Sequence, residues 1–398
     1  YKSQELRIAK TMEQRQLKEL EEQCIQDCAP PCTSLCPVHV DIRQMLLAIG
    51  RGDFSEGLKI LRKSVPFPGI IAHTCDQPCQ TKCNRIMKGG AIKVAELEQA
   101  CTVYSDEQPL KITVLPKKRN RIAVIGAGLS GLTAAFNLSK KGYQVSLFDQ
   151  EKHLGGHLWD IPADLLPRDL IEKETSLVSR AGVEIHLGKK VVSDDQLLVE
   201  FDAVYLGTGK AEIDLFPLEM TGDGNLLVNP DTFQTSQAKV FAGGSLLHPY
   251  SSILSISDGR RAAISIDRFL QNVSISASRV DEGPYETRLY TNIGNVAPIE
   301  PLAPAQQENG FTIEEAKFEA ERCLQCECME CVKVCEYLKH YGSYPKKYVR
   351  EIYNNLSIIM QSRTANKFIN SCTLCGLCGE VCPTDLNMGQ VIYESRQT

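Results

Sequence analysis

Between Cys101 and Cys323 the chain runs 221 residues without a cysteine, although it carries seventeen in all. Eight lie at 24–101 and nine at 323–382, so the gap divides them into two terminal blocks. An odd total does not suit complete disulfide pairing, and the density is below that of a disulfide scaffold. No apolar run approaches the ~20 residues that a helix needs to cross a bilayer. The start, Tyr1-Lys2-Ser3-Gln4, shows no apolar core of a secretory signal. It also lacks Met, and the expectation is that the sequence begins inside a longer chain. Basic charge is not in excess: 44 Lys and Arg stand against 49 Asp and Glu, for a net charge of −5. That leaves no basic field for nucleic acid. Walker loops, Ser-His-Asp sets and mononuclear metal motifs are missing, as are low-complexity tracts and solenoid repeats. With no secretory signal visible, the expectation is a reducing, oxygen-poor cytoplasm, where thiols stay available to bind metal.

What is present suits more than one buried core in 398 residues. Ser3 to Glu22 holds no Pro or Gly and predicts a helix. Asp41 is placed to cap a helix over 42–49, and Gly57 to Leu61 suggests another. Arg121–Ile125 reads as a strand, Leu129–Lys141 as a helix and Gln144–Phe148 as the next strand, a complete βαβ unit. Val183–Leu187, Ala203–Leu206 and Val240–Ala242 are further strands, and Ile256–Leu270 is a helix. Residues 281–311 carry four prolines and form a linker. Thr312 then caps a helix through Glu321, and Tyr348 to Met360 is helical in character.

Gly126, Gly128 and Gly131 sit between the first strand and its helix. The first makes the tight turn, the second admits a pyrophosphate to the backbone, and the third lets helix and strand pack closely. Leu129 and Ser130 open the helix whose N-terminus attracts phosphate. Asp149 ends the second strand, where its carboxylate can accept from ribose hydroxyls. Gly155-Gly156, Gly207-Thr208-Gly209, Gly243-Gly244-Ser245 and Asp258-Gly259-Arg260-Arg261 follow in order.

This ordered set resembles the FAD domain of two-dinucleotide flavoproteins, and more narrowly the small subunit of glutamate synthase and related iron–sulfur flavoproteins. The resemblance implies FAD held by Gly126, Gly128, Leu129, Ser130, Gly131, Asp149, Gly156, Thr208, Gly209, Gly244 and Ser245. Two departures stand out. The family usually has Asp where Ser245 stands. It also inserts an NAD(P)H domain before the Phe241 strand, whereas only 31 residues separate Gly209 from Phe241. One βαβ unit alone takes ~30 residues, so the expectation is that this chain does not bind NAD(P)H.

In the N-terminal block Cys24, Cys28, Cys32 and Cys36 are spaced by three residues each, and Cys75, Cys79 and Cys83 repeat the spacing. Zinc sites favour closed C-x2-C knuckles, whereas interleaved cysteines suit cubane clusters with four ligands each. Seven cysteines are one short of two clusters. The glutamate synthase resemblance implies that Glu98 supplies the eighth ligand. It implies one [4Fe–4S] cluster on Cys24, Cys28, Cys32 and Cys83, and a second on Cys36, Cys75, Cys79 and Glu98. Cys101 falls outside the pattern and reads as a core residue.

Cys372-x2-Cys375-x2-Cys378-x3-Cys382-Pro383 is the bacterial ferredoxin run, whose fourth cysteine ligates the other cluster of a pair. Its partner run, Cys323, Cys326, Cys328, Cys331 and Cys335, is irregular, and Gln325 stands where the first cysteine belongs. By cross-ligation Cys335 joins Cys372, Cys375 and Cys378. Cys382 joins three of the remaining four, and the one left over stays open. The arrangement resembles the dicluster subunit of heterodisulfide reductase and the iron–sulfur subunit of glycolate oxidase. In those families a cysteine-rich domain commonly follows, here expected in a longer chain or a separate one.

The expected architecture is an α/β Rossmann-like FAD domain (111–280) between an α-helical iron–sulfur domain (1–110) and an α-helical, ferredoxin-like dicluster domain (312–398). The same fusion occurs in pyridine nucleotide-disulfide oxidoreductase/dicluster-binding proteins. The implied cofactors are one FAD and four [4Fe–4S] clusters. The implied role is an oxidoreductase subunit that passes electrons through clusters and pairs or splits them at the flavin. The expected partners are redox subunits of heterodisulfide reductase, hydrogenase, formate dehydrogenase or aldehyde oxidoreductase type. Two alternatives are a self-contained enzyme acting on a small quinone or disulfide, and a structural subunit whose flavin site has degenerated, as Ser245 hints. His153, His157 and Trp159 read as surface or packing residues, and Lys339-His340 and Lys346-Lys347 as a solvated basic patch.

Overall fold

A computed structural model describes residues 13–106, 111–191, 194–209, 217–304, 310–358 and 365–397. Five short segments, all but β3 largely apolar, form its sheet: β1 (Arg121–Ile125), β2 (Gln144–Phe148), β3 (Glu184–His186), β4 (Ala203–Leu206) and β5 (Val240–Ala242). All pairs are parallel and the order is β3-β2-β1-β4-β5. Both faces are covered, which is why the central strands are apolar throughout. Ile122 and Val124 face one buried cluster, and Ala123 and Ile125 face another, as the two-residue pleat requires.

Strand order reverses at β1, which has β2 on one side and β4 on the other. In such sheets the crevice for a ligand opens beyond the carboxyl ends of the strands at that reversal. The helices Leu129–Lys140 and Ser252–Leu270 cross on one face of this parallel layer. A Cβ on Gly259 would lie 2.2 Å from the Ser130 carbonyl oxygen, so glycine sets that crossing distance.

The chain divides into two compact units. One holds the described parts of Tyr1–Pro31, Thr287–Ala297 and Leu324–Thr398. The other holds Cys32–Glu286 and Pro298–Cys323, less the residues outside the description. In the second unit, Ile42–Gly50 is capped by Asp41 and Phe54–Arg62 by Asp53. Ile313–Glu321, capped by Thr312 and Glu315, packs on Ile42–Gly50 and Val94–Tyr104. A buried ion pair fixes it there. Glu319 bonds Arg322 and accepts from the N–H groups of Lys93 at 3.0 Å and Leu302 at 3.1 Å. Arg322 donates to the carbonyls of Gly90 and Ile299. The helix that sequence spacing assigned to the C-terminal region thus packs beside the N-terminal cysteine loops.

In the first unit, Leu17 and Leu20 of the helix Gln14–Gln23 pack against a core that includes Leu338, Tyr348, Ile352, Phe368 and Ile392. The predicted helix from Ser3 lies outside the described residues before 13. The one predicted to Met360 runs over Pro345–Tyr353 and then a wider turn, Asn354–Ile358; its last two residues lie outside the description. Among the described residues no helix is long and apolar enough to cross a membrane.

Asp267 ties the end of Ser252–Leu270 to the sheet's rim. It accepts from Lys118 at 3.1 Å, Lys141 at 2.5 Å, Tyr143 at 2.8 Å and Gln271 at 2.7 Å. Burial raises its pKa, but these donors outweigh burial and bring it from 3.8 to about 2. A depressed carboxylate contributes stability above its unfolded value and loses it as pH falls through the folded one. Asp267→Asn should therefore cost about 1–2 kcal/mol at neutral pH, allowing for solvent screening of the two lysines. In thermal unfolding the gap between variant and parent should close between pH 4 and 2; a gap constant with pH would refute the assignment.

Candidate cofactor sites

The glycine loop leaves β1 at Gly126, whose φ of +103° suits glycine. A Cβ there would lie 2.4 Å from the Gly207 oxygen, and one on Gly131 would lie 1.9 Å from the Gly126 oxygen. Both positions are closed by backbone. Gly128 differs: among the described residues an added Cβ meets nothing nearer than the Gly207 oxygen at 4.0 Å. Its open side adjoins the N-terminus of Leu129–Lys140, where backbone N–H groups and the helix dipole attract phosphate. Ser130 bonds the Tyr205 hydroxyl beneath the loop.

Asp149 accepts from the Ala127 N–H inside the glycine loop and from the Glu151 N–H at 2.8 Å. The carboxylate expected at a ribose also fixes the loop's shape. Gly155 donates to the Ala127 oxygen at 2.8 Å, and a Cβ on Gly156 (φ +52°) would lie 3.1 Å from the Gly128 Cα. Beyond β4, Thr208 has a buried hydroxyl with no hydrogen-bond partner among the described residues, and Gly209 turns with φ +68°, with no described atom near the place of a Cβ. A buried unpaired hydroxyl costs about 1–3 kcal/mol, which a polar ligand group beside it would offset.

Gly244 donates its N–H to Asp258 at 2.8 Å, and His248 meets the same carboxylate at 2.8 Å, which raises its pKa. Ser245 lies half-buried in the short turn Gly244–Leu246. Sequence reasoning missed Asp258, Tyr205 and His248. The acidic residue opening Asp258-Gly259-Arg260 was the available signal for the first. His153 lies tilted against Trp159, with ring centres 4.9 Å apart, and His157 pairs with Asp160 at 2.7 Å on the surface.

Among the described residues no disulfide forms, and no three metal-binding side chains close on a single ion. The cysteines instead surround cavities. Cys36, Cys75, Cys79 and Glu98 line one of about 10 Å³, with Val40, Ile42 and Ile71 between them. Burial alone raises Glu98 to about 8, and burial with the Glu98 charge raises Cys75 and Cys79. Cys335, Cys372, Cys375 and Cys378 line a second cavity of about 510 Å³. Cys24, Cys328, Cys331 and Cys382 line a third of about 20 Å³. A cubane in either small cavity would spread the thiols around it.

Left-handed backbone at non-glycine residues recurs inside these loops, at Gln77, Gln325, Met329 and Leu374. Such turns aim successive N–H groups to one side, forming the anion-binding nests found at iron–sulfur sites. Gln77 and Leu374 each donate an N–H to a cysteine sulfur, Cys75 and Cys372, at 3.4 Å.

Two of the expected ligand sets therefore each share a cavity. Members of the other two sets meet in the third. Cys382 meets Cys328 and Cys331, but Cys24 completes that cavity's thiols, and neither Cys323 nor Cys326 lines it. Cys28 and Cys326 pack around Ile25, Leu289 and Cys328 in the first unit, while Cys32, Cys83 and Cys323 are part-buried against the core of the second. Cys101 is fully buried, and burial raises it to about 12. Lys346 and Lys339 are ion-paired to Asp27 and Glu336.

Comparison with known proteins matches three segments of the chain. Residues 2–110 match the family described as dihydropyrimidine dehydrogenase domain II, 4Fe-4S cluster. Residues 124–170 match the NAD(P)-binding Rossmann-like domain, and 322–387 the 4Fe-4S dicluster domain. The NADPH-Fe(3+) oxidoreductase subunit beta of Geobacter sulfurreducens is 30% identical over 187 residues, 45% of this chain and 28% of that one. The NADP(+)-dependent formate dehydrogenase subunit beta of Moorella thermoacetica is 30% identical over 206 residues, 45% of this chain and 29% of that one. The NAD-dependent dihydropyrimidine dehydrogenase subunit PreT of Escherichia coli is 25% identical over 307 residues, 73% of each chain. This chain spans less than a third of the length of the first two. All three relatives are oxidoreductase subunits by name, and the chain joins iron–sulfur segments at both ends to a Rossmann-like dinucleotide-binding segment.

The open side of Gly128 gives a direct test. Gly128→Glu has room for its Cβ but sets a carboxylate where phosphate would lie. The variant should fold with an unchanged far-UV spectrum and purify with its dinucleotide content reduced by a factor of 10 or more (~1.4 kcal/mol per tenfold). Retention of full dinucleotide content would place the ligand elsewhere.

Proposed function

We propose that this chain is an FAD- and [4Fe–4S]-containing electron-transfer subunit of a larger anaerobic oxidoreductase. The observation that carries the reading is the grouping of twelve donors, eleven cysteines and Glu98, around three cavities, together with a single phosphate-ready glycine loop. The clusters would exchange single electrons, and the flavin one or two.

The chain's own residues would hold and tune these groups. Gly126, Gly128, Leu129, Ser130 and Gly131 would cradle the pyrophosphate, with Asp149 ordering the loop and offering its remaining acceptor capacity to ribose. Thr208, Gly209, Gly244 and Ser245 would meet the rest of the nucleotide, and Asp258 would fix the Gly244 turn. Cys36, Cys75, Cys79 and Glu98 would hold one cluster, and Cys335, Cys372, Cys375 and Cys378 another. A carboxylate ligand among thiolates changes cluster charge, which is one lever on potential. The described residues between Thr208 and β5 form turns and bridges, with no second βαβ unit among them. On this reading NAD(P)H is not bound here, and electrons would enter and leave through partner subunits of formate dehydrogenase, hydrogenase, heterodisulfide reductase or aldehyde oxidoreductase type.

Anaerobic purification with metal and flavin analysis tests the proposal. Expected are about sixteen irons, as many sulfides and one FAD per chain. NADPH should leave the flavin absorbance unchanged while dithionite bleaches it. About eight irons would remove one block, and rapid bleaching by NADPH would overturn the assignment to a nicotinamide-independent subunit.

A further inference from the structure

We infer that Cys24, which by spacing belongs to the N-terminal block, completes a four-thiolate cluster site with Cys328, Cys331 and Cys382. The inference rests on the reading of the cysteine blocks as cluster sites. It reassigns one thiol that the glutamate synthase resemblance gives to a different cluster.

The four sulfurs line one cavity, closed on its other sides by Ile25, Met329, Tyr344, Pro345, Pro383 and Leu386. The backbone around Cys24 is pinned to the loops that carry the other three. Thr384, two residues past Cys382, donates its hydroxyl to the Gln23 carbonyl at 2.7 Å. The N–H of Cys328 itself donates to the Gln26 side chain at 2.8 Å. Lys346 pairs with Asp27 at 3.2 Å, and Tyr344 bonds the same carboxylate. One helical turn back, Arg350 grips both oxygens of Glu21 at 2.5 and 2.8 Å. Five polar contacts over seven residues fix where Cys24 points.

Cys328 and Cys331 are buried. A cation bound among the four sulfurs would offset the cost of burying their thiolates, and each thiol would release its proton to solvent as its sulfur–iron bond formed.

The assignment also accounts for the irregular run. Gln325 stands where the first ferredoxin cysteine belongs. A ligand from the chain's other end fills the vacant role, and Cys323 and Cys326 are released from the C-terminal pair.

Iron counting on the full chain tests this. Cys24→Ala and Cys382→Ala should each lose about four irons and four sulfides. If they share a cluster, the double variant loses about four as well. Cys24→Ala/Cys83→Ala, affecting two clusters, should lose about eight. The reverse pattern, about eight for the first double variant and about four for the second, would overturn the inference. As a check insensitive to folding losses, Cys24→Asp and Cys382→Asp keep a ligand atom. Both should shift the same component of the low-temperature EPR spectrum of the reduced protein; shifts in different components would also overturn it. A parent protein lacking iron and sulfide would instead overturn the underlying cluster reading.

Discussion

Burying an anionic sulfur or carboxylate costs free energy that only a nearby cation returns. Much of this chain is organised around that constraint. Cys36, Cys75, Cys79 and Glu98 are drawn together where burial drives each toward its protonated form. Among the described residues no lysine, arginine or histidine lines their cavity. An ordinary hydrophobic core excludes such a cluster, because a leucine in place of Glu98 would pack without penalty. The left-handed turns at Gln77, Met329 and Leu374 carry strain of their own. They place N–H groups where negative charge would collect.

The nucleotide layer was legible from the chain alone because its rules are local. Four of its five strands match the expected bounds residue for residue, since each is a short apolar run stopped by glycine or a charge. The caps at Asp41 and Thr312 were equally readable, being a matter of three-residue spacing. The regular ferredoxin run also located Cys335 beside Cys372, Cys375 and Cys378 in one cavity.

What spacing did not reveal depends on contacts between distant segments. Asp258 lies fourteen residues beyond Gly244, and the helix Ser252–Leu270 carries its carboxylate to that turn's N–H. The helix Ile313–Glu321 carries a capping box that marks where it starts but not what it packs on. That choice is made by Glu319, whose two oxygens are claimed by Lys93 and Leu302. Cys24 is the clearest case. Its neighbours in sequence suggest one set of partners, and Gln26, Asp27 and Glu21 select another through bonds to residues beyond 320.

The cavity that joins Cys24 to Cys382 has a consequence for how the protein is made. Its first and last sulfurs lie far apart in sequence. No cotranslational intermediate can close it before Cys382 has been made, and the nucleotide layer, whose contacts are nearer in sequence, is free to fold meanwhile. Closure of the cavity then reports that the segment carrying Cys382, Pro383 and Thr384 has reached the segment carrying Cys24.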